Sequence, residues 1–96
     1  MDEQSLRALF EEAARDIIRE DAKKKLGSLG RLADAIGVNR EVFYRHAALG
    51  GTDFQLDELH AVTRALGYQL PSQFWLRVER RVRSMIEDRG LDSDLL

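Results

Sequence analysis

Apolar residues recur at three- and four-residue steps over most of the chain. Leu6, Leu9, Phe10, Ala13, Ala14, Ile17 and Ile18 form one stripe, which predicts a single amphipathic helix from about Glu3 to Lys25. Lys23, Lys24 and Lys25 suit the negative end of its dipole, and Gly27 is placed to stop it in a left-handed conformation. Ser28 is an N-cap residue type and opens a short second helix, Leu29 to Ile36, with Leu32, Ala33 and Ile36 inward. Gly37 closes that helix, and Asn39 caps a third running from Arg40 to about Ala48. Gly50 and Gly51 break the pattern, after which Thr52 and Gln55 form a capping box for a fourth helix with Leu56, Leu59, Val62, Thr63 and Leu66 inward. Gly67 ends it. Pro71 starts a fifth helix that reaches about Asp88 on a stripe of Phe74, Trp75, Val78, Val82, Met85 and Ile86, and the tail from Gly90 to Leu96 is expected to fray.

No alternating run of β-branched residues is bounded by hairpin turns, so the expected class is all-α with five helices. Six of the seven glycines punctuate these helices; only Gly30 falls inside one, where it costs roughly 1 kcal/mol relative to Ala. A close approach of another backbone is the expected reason. At 96 residues the chain has room for one domain. Its 44% hydrophobic and 33% charged residues are the balance of a folded globular protein. There is no Cys, which excludes disulfides, cysteine-based zinc sites and thiol catalysis. No stretch of 18 apolar residues exists and the first residues are acidic, so the expected location is the cytoplasm, with nucleoid association when bound. No phosphate loop, nucleophile elbow or nucleophile–base pair is present, and His46 and His60 lack partners at ligand spacing. Neither an enzyme, a cofactor nor a metal site is expected.

The informative unit is the pair of short helices joined by Gly37-Val38-Asn39. A three-residue turn containing Gly makes helices cross steeply, and small Ala33 lets them lie close. Leu32, Ile36, Val38 and Phe43 then face inward, leaving Asn39, Arg40, Glu41, Val42, Tyr44 and Arg45 on the outer or N-terminal side, a face that fits a major groove. The formal net charge of −2 looks unfavourable for such a role until it is resolved by position. Residues 1–22 hold three Arg against seven acids, residues 23–50 six Lys or Arg against two, and residues 51–96 six Arg against eight acids. The segments therefore carry −4, +4 and −2, and the basic one is the motif.

The run from Leu32 to Arg45 resembles the helix-turn-helix of lambda-repressor-like (Xre-type) transcription regulators. The run from Gln55 to Tyr68 is similar to the helix that follows it in HigA-type antitoxins and small phage regulators. The sequence departs from that pattern at His46, where the family carries an aliphatic residue, and in the loop from Leu49 to Asp53, which lacks basic residues. The resemblance implies a helix-turn-helix DNA-binding domain over residues 1–70, with its motif at 29–48, and places Arg40, Glu41, Tyr44 and Arg45 at base edges. Ser28 and Asn39 fall where helix N-termini meet phosphates. The chemistry agrees: Arg bonds bidentately to guanine, Glu accepts from the cytosine amine, and Val42 suits a thymine methyl. Lys24, Lys25 and Arg31, with Lys23, join the phosphate-facing set by charge.

The fifth helix, residues 71–89, is longer than one such domain requires, and its stripe of Phe74, Trp75, Val78, Val82 and Met85 is assigned to homodimerisation. Its Arg77, Arg80, Arg81 and Arg83 form a second phosphate surface, a partner surface or a solvated face. The expected function is a bacterial or phage repressor or autoregulator binding double-stranded DNA at a palindromic operator, its half-sites about one helical turn (~34 Å) apart. The likeness to antitoxins extends this to a toxin partner. A phage-type transcription activator and a helical protein-interaction module are the alternatives.

Overall fold

Two apolar stripes facing one another organise the fold, which a computed structural model describes for residues 3–47 and 56–90. Helix α1 (Glu3–Asp21) contributes Leu9, Ala13, Ile17 and Ile18, and helix α5 (Pro71–Asp88) contributes Phe74, Val78, Val82, Met85 and Ile86. Between them, Glu12 pairs with Arg89, Glu20 with Arg81 and Asp21 with Arg77. Numbers rise along one helix as they fall along the other, so the two run antiparallel. The helices α2 (Leu29–Ile36), α3 (Arg40–Ala47) and α4 (Leu56–Ala65) complete the core with Leu32, Ala33, Phe43 and Val62, joined by Leu66 just past α4. Helix α2 packs against both α3 and α4. Each large apolar side chain so buried contributes about 1.5–3 kcal/mol. Among the described residues every element is helical, as expected.

The expected helix ends are met by identifiable devices. Gly37, at φ +75°, donates its N–H to Asp34 while Val38 donates to Ala33, and Gly67, at φ +89°, repeats this pattern with Arg64 and, through Tyr68, Thr63. Both are Schellman stops, which satisfy carbonyls that the helix leaves open. The first helix differs from expectation. It leaves α geometry at Asp21 and continues as a π-helical turn, Ala22–Leu26, before Gly27 at φ +98°. The proposed capping box at Thr52 and Gln55, the loop from Leu49 to Asp53, the end of the motif at Ala48 and the tail beyond Gly90 lie outside the described residues.

The assignment of the fifth-helix stripe to dimerisation needs correction. Phe74, Val78 and Val82 are 0% exposed and Met85 8% within the single chain. Helix α1 already covers them, so they have no surface to offer a second copy. Trp75, adjacent to Phe74 and rotated about 100° around the helix, remains 42% exposed. Of the arginines at 77, 80, 81 and 83, three are ion-paired and Arg80 is exposed. Arg77 and Arg81 reach α1, Arg83 bonds Glu79 of its own helix and Arg89 reaches Glu12. Arg77, Arg81 and Arg89 are thus engaged by acids of α1, and Arg83 by an acid of its own helix.

At the α1 end of this seam Asp21 is 3% exposed. Arg77 Nη1 donates to both carboxylate oxygens at 2.6 and 2.7 Å, and the Tyr68 hydroxyl donates to Oδ2 while accepting from the same guanidinium. Lys25 stands 4.0 Å from the carboxylate, 4.6 Å above the Tyr68 ring, and donates to the Leu66 carbonyl at 2.8 Å. Burial pushes the Asp21 carboxyl up, but bonds from Arg77 and Tyr68, with the charges of Arg77 and Lys25, outweigh it and hold the group below the ordinary range. Bonds from Arg89 and Arg81 likewise lower Glu12 and Glu20.

Groups whose pKa is depressed on folding stabilise the fold fully above their unfolded values and lose that contribution as pH falls through the folded ones. The melting temperature should therefore hold between about pH 7 and 5 and drop below about pH 4. Asp21→Asn should lower unfolding free energy in denaturant by about 2 kcal/mol, less than a fully buried pair because Arg77 is partly exposed. It should also make the acid decline shallower. A variant as stable as the parent would mean that this cluster does not hold the helices together.

Candidate nucleic-acid interface

The pair of helices α2 and α3 is held by three end devices, one before α2 and two in the turn between them. Ser28 Oγ caps α2 by accepting from the Arg31 N–H at 3.1 Å, the Schellman stop at Gly37 redirects the chain, and Asn39 Oδ1 accepts from Glu41 N–H at 2.9 Å to cap α3. Phe43, 0% exposed, anchors α3 in the core. With that side inward, Asn39, Arg40, Glu41, Val42, Tyr44 and Arg45 are all exposed. The six form one outward surface, the face expected to read bases.

Arg40 is not a loose side chain on that surface. Its Nε donates to Asp34 Oδ1 at 3.1 Å and its Nη2 to Oδ2 at 2.6 Å, a two-point pairing across the turn. The hydrogen bond with Asp34 raises the guanidinium pKa, and Arg40 in return lowers the Asp34 carboxyl. Beneath them lies Gly30. A Cβ there would stand 2.8 Å from Arg40 Nη1 and 2.9 Å from the Tyr44 hydroxyl. Side chains of α3, not another backbone, explain the glycine. Sequence reading missed Asp34 as a site residue: a pairing six positions apart follows only once the crossing of the two helices is known.

The phosphate candidates divide. Lys23 and Lys24 are exposed on the π turn, and that turn packs on α2. Arg31 lies over Gly27 and donates to the Leu26 carbonyl at 3.2 Å, which joins the π turn to the start of α2. Ser28 uses an oxygen lone pair for its cap and keeps its hydroxyl hydrogen, while Asn39 keeps its two amide hydrogens. Ser28 and Arg31 flank Gly30 along α2, and Arg40 and Tyr44 stand against it from α3. Lys25 does not belong with them. Its ammonium is committed to the Leu66 carbonyl and the Tyr68 ring at the α4–α5 corner, where it neutralises the open C-terminus of α4.

Comparison with protein-family models, curated proteins and solved structures returns no match. The residues must therefore speak for themselves. What they bring together is a cationic, hydrogen-bond-donating strip from the π turn over the start of α2 to the outer side of α3, chemistry suited to a phosphodiester backbone and base edges. Among the described residues no group of three His, Cys, Asp or Glu converges as a metal site would require, and no helix is long and apolar enough to cross a membrane.

A second surface is apolar. Trp75 lines three adjoining depressions, with Phe10 and Leu59 on one side and Leu76 on another.

Gly30→Ala separates the two roles of the glycine. Helix propensity favours the alanine by roughly 1 kcal/mol, and the atoms it would displace are the flexible ends of Arg40 and Tyr44. The variant should melt at or above the parent temperature while the Arg40 Nε–H and Tyr44 ring resonances shift. Loss of stability with those resonances unmoved would contradict the packing described.

Proposed function

We propose that the chain is a sequence-specific DNA-binding regulator of transcription, acting as a homodimer, in which α2 and α3 serve as a helix-turn-helix. The observation that carries this reading is how folding sorts the charge. The arginines at 77, 81, 83 and 89 pair with acids of α1 and α5, leaving Arg80 exposed, while in the basic stretch Lys23, Lys24, Arg31 and Arg45 stay exposed beside the outer face of α3, with Arg40 paired to Asp34 and Lys25 turned to Leu66. An acidic protein of this kind has little non-specific affinity elsewhere on its surface, so binding rests on a few placed contacts. Helix α3 enters the major groove with Arg40, Glu41, Tyr44 and Arg45 toward base edges, and Lys23, Lys24, Arg31, Ser28 and Asn39 hold phosphates. The resemblance of residues 32–45 to lambda-repressor-like regulators supports the same arrangement, and repression follows from excluding RNA polymerase.

Two-fold symmetry requires a surface for a second copy, and the Trp75 face is the one that fits. Trp75 and Leu76 are 42% and 49% exposed. The rim is nearly neutral, since Arg7 pairs with Glu11 and Glu79 with Arg83 along their own helices. Such a rim selects neither a polyanion nor a strongly charged protein and is compatible with a copy of itself.

Selection from a pool of random duplexes at stated salt should enrich a symmetric site. On that site Arg45→Ala should cost about 1–3 kcal/mol and relax one base position, whereas Lys24→Ala should weaken all duplexes alike and flatten the salt dependence. Equal binding of enriched and random duplexes would sink the reading. Trp75→Glu should give a folded monomer in sedimentation velocity where the parent sediments as a dimer, and a parent already monomeric at micromolar concentration would overturn the homodimer.

A further inference from the structure

The arrangement around Arg40 accounts for its hydrogens one by one. A guanidinium has five N–H groups in a planar fork. Asp34 takes two of them, on the edge formed by Nε and Nη2. Three remain, one on Nη2 and two on Nη1, and the Tyr44 hydroxyl, which packs with Nη1 against Gly30, accepts one of these. What is left is the opposite edge, one hydrogen on Nη1 and one on Nη2, side by side. That pair matches the two adjacent acceptors O6 and N7 of guanine. Arginine has many rotamers to lose on binding, and a carboxylate that fixes one edge removes part of that cost before DNA arrives. It also neutralises the charge, so that Arg40 contributes recognition more than general attraction.

We infer that Asp34 is a positioning residue which holds Arg40 by its Nε–Nη2 edge, presents its free edge to a guanine, and thereby sets the base preference of the site. The inference rests on the DNA-binding reading above and adds to it a residue that touches no base itself. Gly30 is the floor of the arrangement, since a side chain there would lift both Arg40 and Tyr44. The alternative role for Asp34 is that of a competitor, sequestering Arg40 from DNA; the two roles predict opposite signs.

The test uses the full chain and duplexes selected from a random pool. The parent should enrich a site with one fixed G·C pair per half-site at which Arg40→Ala abolishes discrimination. Asp34→Asn should reduce discrimination at that same pair by about tenfold, leaving affinity for random duplexes and the other preferred positions unchanged or, through loss of a negative charge, slightly raised. Asp34→Glu should recover part of the preference. Both groups are exposed, so a matching thermal melt establishes that the variant is folded. A parent that selects a site while Asp34→Asn keeps the same preference overturns the inference and leaves the DNA-binding reading standing. Tighter binding of the selected site by Asp34→Asn also overturns it, in favour of competition. A parent that selects no site overturns both.

Discussion

A buried carboxylate ties together the three parts of the chain that pattern alone keeps separate. Asp21 closes α1, Tyr68 lies in the connection from α4, and Arg77 comes from α5, so one cluster sets where these segments meet. A charge this well covered is tolerated only when its oxygens are satisfied, and here a guanidinium and a phenol do so together. The neighbouring Lys25 binds the last carbonyl region of α4 from the same turn. With α1, α4 and α5 locked at this corner, α2 is held between the π turn and α4, and the position of α3 follows from Phe43 and the Gly37 turn. The candidate interface thus depends on a cluster that takes no part in it.

The same pairing decides the electrical character of the surface. A chain with net charge −2 is a poor general polyanion binder. Because α1 is acidic and α5 rich in arginine, their antiparallel packing cancels charge along the seam. The motif keeps its excess of cations over Asp34 and Glu41, and Asp34 converts Arg40 from a free charge into a fixed hydrogen-bonding edge. Affinity on this account comes from Lys23, Lys24, Arg31 and Arg45, and base preference from geometry around Arg40.

Much of the fold was legible because helical periodicity and helix punctuation are local. Gly27, Gly37 and Gly67 each adopt the left-handed conformation expected of a stop, Ser28 and Asn39 cap as their chemistry suggests, and Leu32, Ala33, Phe43 and Val62 are buried. The candidate face was legible for the same reason: once Phe43 points inward, its neighbours on the helix point out. What escaped was non-local. An apolar stripe does not state what covers it, so Phe74, Val78 and Val82 read as an interface until α1 is seen against them. The commitment of Lys25 to Leu66, 41 residues away, leaves no trace in local pattern. The role of Gly30 depends on side chains that arrive from the next helix, and the partnership of Asp34 with Arg40 on the angle of a turn. Trp75 was half legible: it cannot share the inward direction of adjacent Phe74, but only the packed chain shows that it is left exposed.

The central claim is that the strip from the π turn to α3 is the surface that meets DNA, and amide chemical-shift mapping tests it most directly. Titration of the labelled full chain with a selected duplex should perturb residues from Lys23 to Arg31 and from Asn39 to Arg45, with the amides around Arg77, Arg81 and Arg89 unmoved. Perturbations confined to α5 or to the Trp75 face, or none at all at concentrations where the duplex was enriched, would contradict it.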